Sequence, residues 1–104
     1  MTTSTARVVF LVKLHPDSEQ QFLDAYETVR HEVARGVPGH VVDQLCQSST
    51  EPDSWLITSE WQQLDDFVAW EQSDEHRTMV KPLRDCIAEA RSLRFLIRGE
   101  TRAG

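Results

Sequence analysis

The order of strand-like and helix-like segments is the strongest constraint that this sequence places on its fold. The first apolar run, Val8–Leu14, is rich in β-branched and aromatic residues and is predicted to be a strand. From Phe22 to about Ala34, apolar residues recur at the spacing of one helix face, and the Gly- and Pro-containing segment 36–39 ends this helix. The chain therefore begins with a strand followed by a helix.

Two more strands and two helical segments are predicted in the middle of the chain. His40–Gln47 and Ser54–Trp61 have strand character and are separated by a polar loop that contains Pro52, so we expect them to form a hairpin. Leu64–Gln72 is predicted to be a short helix. Ser73 is predicted to cap a second helical segment that follows at once.

The C-terminal part of the chain predicts the remainder of one helix and a last strand. Apolar residues at helical spacing run from Met79 to Ala90 and include Ile87, and Pro82 inside this run must kink or restart the helix because it lacks an N–H. Leu93–Ile97 is predicted to be the last strand. The order β-α-β-β-α-β predicts an α+β, ferredoxin-like split βαβ fold, with helices on one face of a four-stranded antiparallel sheet.

Both faces of this predicted sheet carry apolar side chains, although one layer of helices can cover only one face. On the first strand, Val8 and Phe10 point to one face, whereas Val9 and Leu11 point to the other. A bare apolar face in a monomer would be an association surface. We therefore expect a homodimer in which two sheets pack face to face.

The charge balance argues against nucleic acid as a partner. The net charge is −6, whereas a protein that binds nucleic acid normally concentrates Lys and Arg. Residues 1–76 carry 4 basic and 14 acidic residues, and residues 77–104 carry 7 basic and 3 acidic residues. Either these are two solvated faces, or the segment with Arg91, Arg94 and Arg98 docks on an acidic partner surface such as a second copy.

Cysteine usage and hydropathy predict the compartment. Cys46 and Cys86 have no metal-ligand spacing, so we expect both to be reduced and buried. The first seven residues form a polar tail, and the apolar run Val8–Val12 is too short for a signal core or a membrane span. The sequence predicts a single cytoplasmic domain over residues 1–104, with no nucleic-acid or membrane partner.

Three segments give the chain a family resemblance. They are the opening strand with His15–Phe22 after it, the turn Val37–Gly39, and Glu60-Trp61 followed by Asp66–His76. In this order and spacing they resemble the antibiotic biosynthesis monooxygenase family of the dimeric α+β barrel superfamily, over most of residues 6–98. The resemblance implies a dimeric barrel that oxidises polyketide anthrones without metal or flavin. Haem degradation, quinol oxidation, isomerisation and polyketide cyclisation also occur among similar proteins.

Individual residues argue against haem degradation within this resemblance. Trp70 lies at the position of the tryptophan that distorts the porphyrin in haem-degrading relatives. The histidine that ligates haem in those relatives corresponds to Val80, and their asparagine on the first strand corresponds to Phe10. The resemblance therefore implies the general oxygenase branch.

A cofactor-independent oxygenase needs a base, a dry pocket and donors for a developing oxyanion. Histidine is the best-matched base near neutral pH. His76 is the first candidate because it lies near the aromatic corner, although it could instead be a capping or surface residue. His40 is the next candidate, and His31 and His15 are expected at the surface. The four histidines lack the spacing of a zinc site, so we predict no metal and no cofactor.

Aromatic side chains are concentrated around one strand-to-helix corner, where they can form the walls of an apolar pocket for a flat ligand. The candidates for substrate binding are Trp55, Trp61, Phe67, Trp70 and Arg77. The aromatic residues could equally belong to the core, and Arg77 could instead pair with Glu71 or Asp74. Tyr26 is a further catalytic candidate, whose hydroxyl could donate to a substrate carbonyl.

Three functions remain open at this point. The first is a cofactor-independent monooxygenase that oxidises an aromatic polyketide-like phenol, anthrone or hydroquinone with O₂ in secondary (antibiotic) metabolism. The second is a polyketide cyclase or isomerase that uses the same pocket without consuming O₂. The third is a non-catalytic accessory or binding protein, which is favoured if Trp61, Phe67 and Trp70 fill the pocket themselves.

Overall fold

A computed structural model describes residues 5–104, so most of the predicted polar tail lies outside the described residues. Four strands and three helices follow one another in the predicted order. Their bounds are β1 (Ala6–Leu14), α1 (Glu19–Ala34), β2 (His40–Gln47), β3 (Ser54–Trp61), α2 (Leu64–Glu71), α3 (Asp74–Arg84) and β4 (Ile87–Leu96). The predicted α+β, ferredoxin-like fold is confirmed, with α2 and α3 together in the place of the second helix.

The four strands form one antiparallel sheet in the order β2-β3-β1-β4. β1 pairs with β3 from Ala6 opposite Trp61 to Lys13 opposite Ser54, and it pairs with β4 along its other edge. β1 and β3 occupy the centre and hold all of the fully buried positions of the four strands. The edge strands β2 and β4 are mostly exposed.

The helices cover one face of the sheet, as the alternation of side chains predicts. Val8 and Val12 of β1 are buried on that face, and α1 buries Phe22 against it. On the opposite face Leu11 is 37 % exposed and Phe95 of β4 is 52 % exposed. The open face therefore carries the unpaired apolar surface that the sequence predicts.

The core between sheet and helices is divided into two clusters. The larger cluster consists of Val12, Leu14, Phe22, Tyr26, Trp55, Leu83 and Cys86. The smaller one contains Ala6, Val8 and Trp61, with Phe67 and Trp70 packed against it. Because the two clusters are separate, the helix-covered face is not filled continuously with apolar side chains.

The prediction is wrong at the end of the last helix. α3 ends at Arg84, and Ile87 and Ala90 belong to β4, which begins six residues before the predicted start at Leu93. Pro82 removes one helical hydrogen bond, and the helix ends two residues later without restarting. The apolar spacing that suggested a longer helix belongs instead to the start of a strand that pairs with β1.

The two cysteines differ in their surroundings. Cys86 is fully buried, as predicted, but Cys46 is exposed, which corrects the expectation for that residue. Cys46 lies opposite Leu56 on edge strand β2, on the face that no helix covers. Both thiols are free.

No helix among residues 5–104 is long and apolar enough to cross a membrane, and the cytoplasmic location stays a prediction.

Gly39 fixes the turn that leads from α1 into β2. Its φ is +83°, and a Cβ at this position would overlap the side chain of Asp66. Its carbonyl oxygen accepts a hydrogen bond of 2.8 Å from the Gln62 N–H, which ties the turn to the end of β3. The turn therefore needs a residue that has no side chain.

We expect Gly39→Ala to lower the free energy of unfolding by about 1–3 kcal/mol, because alanine is strained at this positive φ. Gly99→Ala is the matched control, since no atom lies within 4 Å of a Cβ placed there. Urea unfolding followed by tryptophan fluorescence measures both variants. Equal stability of the two variants would show that this turn tolerates a side chain.

Candidate functional site

A cavity of about 160 Å³ lies between the sheet and the helices and is bordered by residues of both core clusters. Its apolar walls include Val8 and Phe10 of β1, Ile57 of β3 and Val80 of α3. Arg84 also lies on the wall but is exposed, so the cavity opens to solvent near the end of α3. The interior is therefore mainly apolar, with an opening at one side.

Three of the predicted aromatic residues meet at one end of this cavity. Trp61, Phe67 and Trp70 all line it, and the rings of Trp61 and Phe67 are 5.5 Å apart in an edge-to-face arrangement. Trp61 is 2 % exposed, and its Nε1–H donates a 2.9 Å hydrogen bond to the Ser59 hydroxyl. These side chains form walls and leave space between them. The binding-protein alternative is favoured if these side chains fill the pocket, and they do not fill it.

His76 points inward from the first turn of α3 and lines the cavity. The Ser73 side chain caps the helix by accepting a 3.1 Å hydrogen bond from the His76 backbone N–H, as the sequence predicts for Ser73. The imidazole lies edge-to-face against Trp70, with ring centroids 5.3 Å apart. Its Nδ1 is buried and has no hydrogen-bond partner among residues 5–104.

The surroundings of His76 favour its neutral form. Burial lowers the pKa of the imidazole, and the nearby positive charge of Arg84 lowers this pKa further, while Glu71 opposes both effects. A neutral imidazole with an unpaired nitrogen can accept a proton from a bound molecule. The structure therefore leaves a nitrogen of His76 available for proton transfer with a molecule in the cavity.

Tyr26 and Asp43 form a second polar group on the cavity wall. The Tyr26 hydroxyl donates a short hydrogen bond to the Asp43 carboxylate. Burial raises the pKa of Tyr26, and the hydrogen bond and negative charge of Asp43 raise it further, so the phenol keeps its proton. Because this proton is committed to Asp43, Tyr26 presents an oxygen acceptor to the cavity rather than the donor expected from the sequence.

His40 does not line the cavity itself but lies against two residues that do, Asp43 and Trp61. Its Nε2 lies 3.8 Å from the Asp43 carboxylate, and its ring packs edge-to-face on Trp61 with a centroid distance of 5.1 Å. His40 itself borders a separate groove beside α1, and Asp43 lines both that groove and the cavity. The structure therefore gives His40 no direct access to a molecule in the cavity.

Two predicted substrate-binding residues do not lie at the cavity. Trp55 is buried in the larger core cluster, where its ring packs 5.6 Å from that of Phe22. Arg77 is exposed and lies 3.9 Å from the Asp74 carboxylate. This pairing with Asp74 is one of the alternatives to substrate binding that the sequence suggested for Arg77. His31 and His15 are exposed, as expected.

Sequence reasoning missed five polar residues of the cavity wall, which are Asp43, Ser59, Glu71, Arg84 and Ser92. A register shift between His40 and Val42 places His40 and Asp43 on the same face although they are three residues apart. Simple alternation along β2 cannot predict this arrangement. Arg84 has a clearer signal, because His76, Val80 and Leu83 follow helical spacing and Arg84 borders that face.

Arg94 and Glu71 form an ion pair within the chain, near the cavity. Arg94 of β4 donates hydrogen bonds of 2.7 and 2.9 Å to the Glu71 carboxylate and lies over the ring of Phe67. Arg94 is therefore already paired within the chain, which leaves less of the basic segment for an acidic partner. Residues 5–104 hold no cluster of three or more His, Cys, Asp or Glu side chains placed to bind a metal.

Fold and cavity together define a small α+β domain with an aromatic-walled site on the helix-covered face of its sheet. The profile of the antibiotic biosynthesis monooxygenase family matches residues 5–82, and this chain belongs to that family. Among curated relatives, the 42.8 kDa protein in the whiE locus of Streptomyces coelicolor is 50 % identical over 97 % of this chain. Polyketide synthase CurD of Streptomyces cyaneus is 47 % identical over 94 % of this chain.

These relatives are much longer than the present sequence. The chain covers 25 % of the whiE-locus protein and 26 % of CurD, so it spans about a quarter of the curated relatives that it matches. Protein SchA of Streptomyces halstedii shows the same relation, with 44 % identity over 94 % of this chain and 26 % of that protein.

Solved structures share the fold at low sequence identity. SnoaB, a cofactor-independent oxygenase from Streptomyces nogalater, superposes with a TM-score of 0.82 at 17 % identity, over 94 % of this chain and 97 % of SnoaB. A conserved protein from Methanosarcina mazei also has a TM-score of 0.82, at 18 % identity, over 90 % of this chain and 93 % of that protein. At these identities the likeness establishes the fold alone.

Proposed function

We propose that this protein is a cofactor-independent monooxygenase that oxidises an aromatic polyketide-like phenol, anthrone or hydroquinone with O₂. The observation that carries this proposal is His76, a neutral base with an unpaired nitrogen on the wall of an aromatic-lined cavity. Membership of the antibiotic biosynthesis monooxygenase family supports it. The relative named polyketide synthase CurD supports a polyketide-type substrate.

The chemistry starts with proton transfer from the substrate to His76. In an anthrone the resulting carbanion gives electrons to O₂, a C–O bond forms at the deprotonated carbon, and the proton on His76 returns to the peroxide oxygen. Loss of the second hydrogen from that carbon then breaks the O–O bond and releases water, which leaves a carbonyl group. One oxygen atom enters the quinone and the other enters water, so the substrate itself is the reductant.

Besides the base, this chemistry needs a dry pocket and a group that stabilises the oxyanion, and the cavity supplies both. Trp61, Phe67 and Trp70 offer flat apolar surfaces for an aromatic ring and exclude water from the substrate anion. Arg84 at the rim is close enough to lower the pKa of His76, so its positive charge can also stabilise a developing oxyanion. We therefore assign substrate binding to Arg84 in place of the predicted candidate Arg77.

The size of the cavity sets how the substrate lies. An apolar cavity of about 150 Å³ holds one benzene molecule, and this cavity measures about 160 Å³. Arg84 and Ser92 line the cavity but are exposed, so it opens between α3 and β4. A substrate of two or three rings would insert one end among the apolar walls and extend through this opening.

We also propose that the protein forms a homodimer through the open face of its sheet. On that face Leu11 lies opposite Leu56 of β3, and Val9 lies opposite Leu93 of β4. Phe95 beside them is 52 % exposed. Burying such a contiguous apolar surface against a second copy is favourable, and the same patch on both subunits suits a two-fold axis.

We expect O₂ uptake with anthrones or dihydronaphthoquinones by protein that has been stripped of metal and receives no added cofactor. His76→Ala should lower kcat by about 10²–10⁴-fold, because general-base catalysis typically contributes this factor. In the wild type, kcat/KM should rise with pH as His76 loses its proton, with a midpoint below the ordinary histidine value of 6.5. An oxygen electrode measures both quantities.

His31→Ala is the matched control, since His31 is an exposed histidine on α1, and it should leave the rate unchanged. Uptake that is equal in wild type and His76→Ala would keep the oxygenase class and remove His76 as the base. Rearranged product without O₂ uptake would contradict the oxygenase and favour a cyclase or isomerase. Binding without any conversion would favour the accessory protein.

We expect Leu11→Lys to convert a dimer into a monomer, because it places a charge in the middle of the open apolar face. Analytical ultracentrifugation of wild type and variant measures the change in mass. Val41→Lys is the control, since Val41 is 49 % exposed but lies beside the groove next to α1. A monomeric wild type, or a dimer that both variants retain, would rule out this interface.

A further inference from the structure

Besides its base, the cavity has a second polar end formed by Tyr26 and Asp43. Tyr26 is 6 % exposed and uses its one hydroxyl proton in the hydrogen bond to Asp43. The remaining lone pairs of the phenol oxygen and of the carboxylate can only accept hydrogen bonds. This end of the cavity therefore has unused acceptors and calls for a donor from the molecule that occupies it.

The sheet register places Asp43 far from β4. Asp43 lies opposite Ser59 of β3, Ser59 opposite Val8 of β1, and Val8 opposite Arg94 of β4. Neighbouring strands are about 4.8 Å apart, so this row spans on the order of 14 Å from one edge of the sheet to the other. Asp43 and Tyr26 thus occupy the β2 side of the cavity.

His76 belongs to the other side of the cavity. Glu71, whose charge acts on His76, is bonded to Arg94 of β4, and Arg84 beside His76 lies at the exposed rim. A flat molecule that enters from the rim would reach Tyr26 and Asp43 with its leading end. Its trailing part would remain beside His76, near the exposed rim.

The two ends also differ in charge. Asp43 is negative and disfavours ionisation of the Tyr26 hydroxyl next to it. It would have the same effect on a phenolic hydroxyl of the substrate that binds there. At the opposite end, Arg84 contributes a positive charge and the carboxylate of Glu71 is paired with Arg94, so formation of an anion is favoured there. The cavity thus separates a hydroxyl that must stay protonated from a group that must lose its proton.

We propose that Tyr26 and Asp43 bind a hydroxyl group of the substrate and keep it protonated, so that only the group facing His76 is deprotonated. The substrate is then an aromatic molecule with a hydroxyl remote from the reacting position, and the pair determines specificity. The role of His76 in this inference rests on the proposed oxygenase function. The binding of the hydroxyl does not.

The test compares two ligands, dithranol, which is a dihydroxyanthrone, and anthrone, which lacks both hydroxyl groups. Quenching of Trp61 and Trp70 fluorescence under nitrogen reports binding without oxidation. We expect the wild type to bind dithranol at least about tenfold more tightly than anthrone, because a site built to bond a hydroxyl discriminates against the analogue without it. Asp43→Asn should lose about tenfold in affinity for dithranol and leave anthrone binding unchanged.

Two further variants complete the experiment. Tyr26→Phe should show the same selective loss, and it tests the site independently if Asp43→Asn fails to fold. Asp24→Asn on the exposed side of α1 is the control and should change neither affinity. Circular dichroism confirms the fold of each variant.

Equal affinity of the wild type for the two ligands, or no binding of either ligand, would overturn the proposal. Variants that lower the affinity for both ligands equally would overturn it as well. The outcome is independent of turnover. Selective binding without O₂ uptake would keep this site and reject the oxygenase, whereas O₂ uptake without selectivity would do the reverse.

Discussion

The division of the core into two apolar clusters is the constraint on which the proposed chemistry depends. Phe22 and Trp55 belong to one cluster, and Trp61 belongs to the other with Phe67 packed against it. Residues of both clusters border the cavity. A side chain that filled this space would add apolar burial and stabilise the fold. Instead the wall carries His76 with an unpaired nitrogen, which costs stability and suits a binding site.

Much of the fold and part of the site could be predicted from the sequence, because alternation and helical spacing determine which side chains face the helices. The bounds of β2 and β3, the Ser73 cap and the lining positions of Trp61, Phe67 and Trp70 all follow from such local patterns. Val80 and Leu83 follow His76 by four and seven residues, and this helical spacing predicts that His76 points inward with them.

Other features depend on tertiary structure that local patterns do not reveal. The register shift after His40 brings Asp43 to the cavity side, and its bond to Tyr26 connects β2 with α1. The start of β4 resembles a helix in the sequence because Ile87 and Ala90 are three residues apart, and only a register shift in the pairing with β1 places them opposite Leu14 and Val12 on one face of the sheet. Arg77 faces solvent because it follows the inward-facing His76 by one residue, or about 100° around the helix.

The most direct test of the account is an NMR titration of the His76 imidazole with and without dithranol, assigned by comparison with His76→Gln. The account predicts a pKa below the ordinary value of 6.5 in the free protein and a change in the His76 signal when the ligand binds. An imidazole that titrates at its ordinary value and does not respond to the ligand would contradict a buried base facing the substrate cavity.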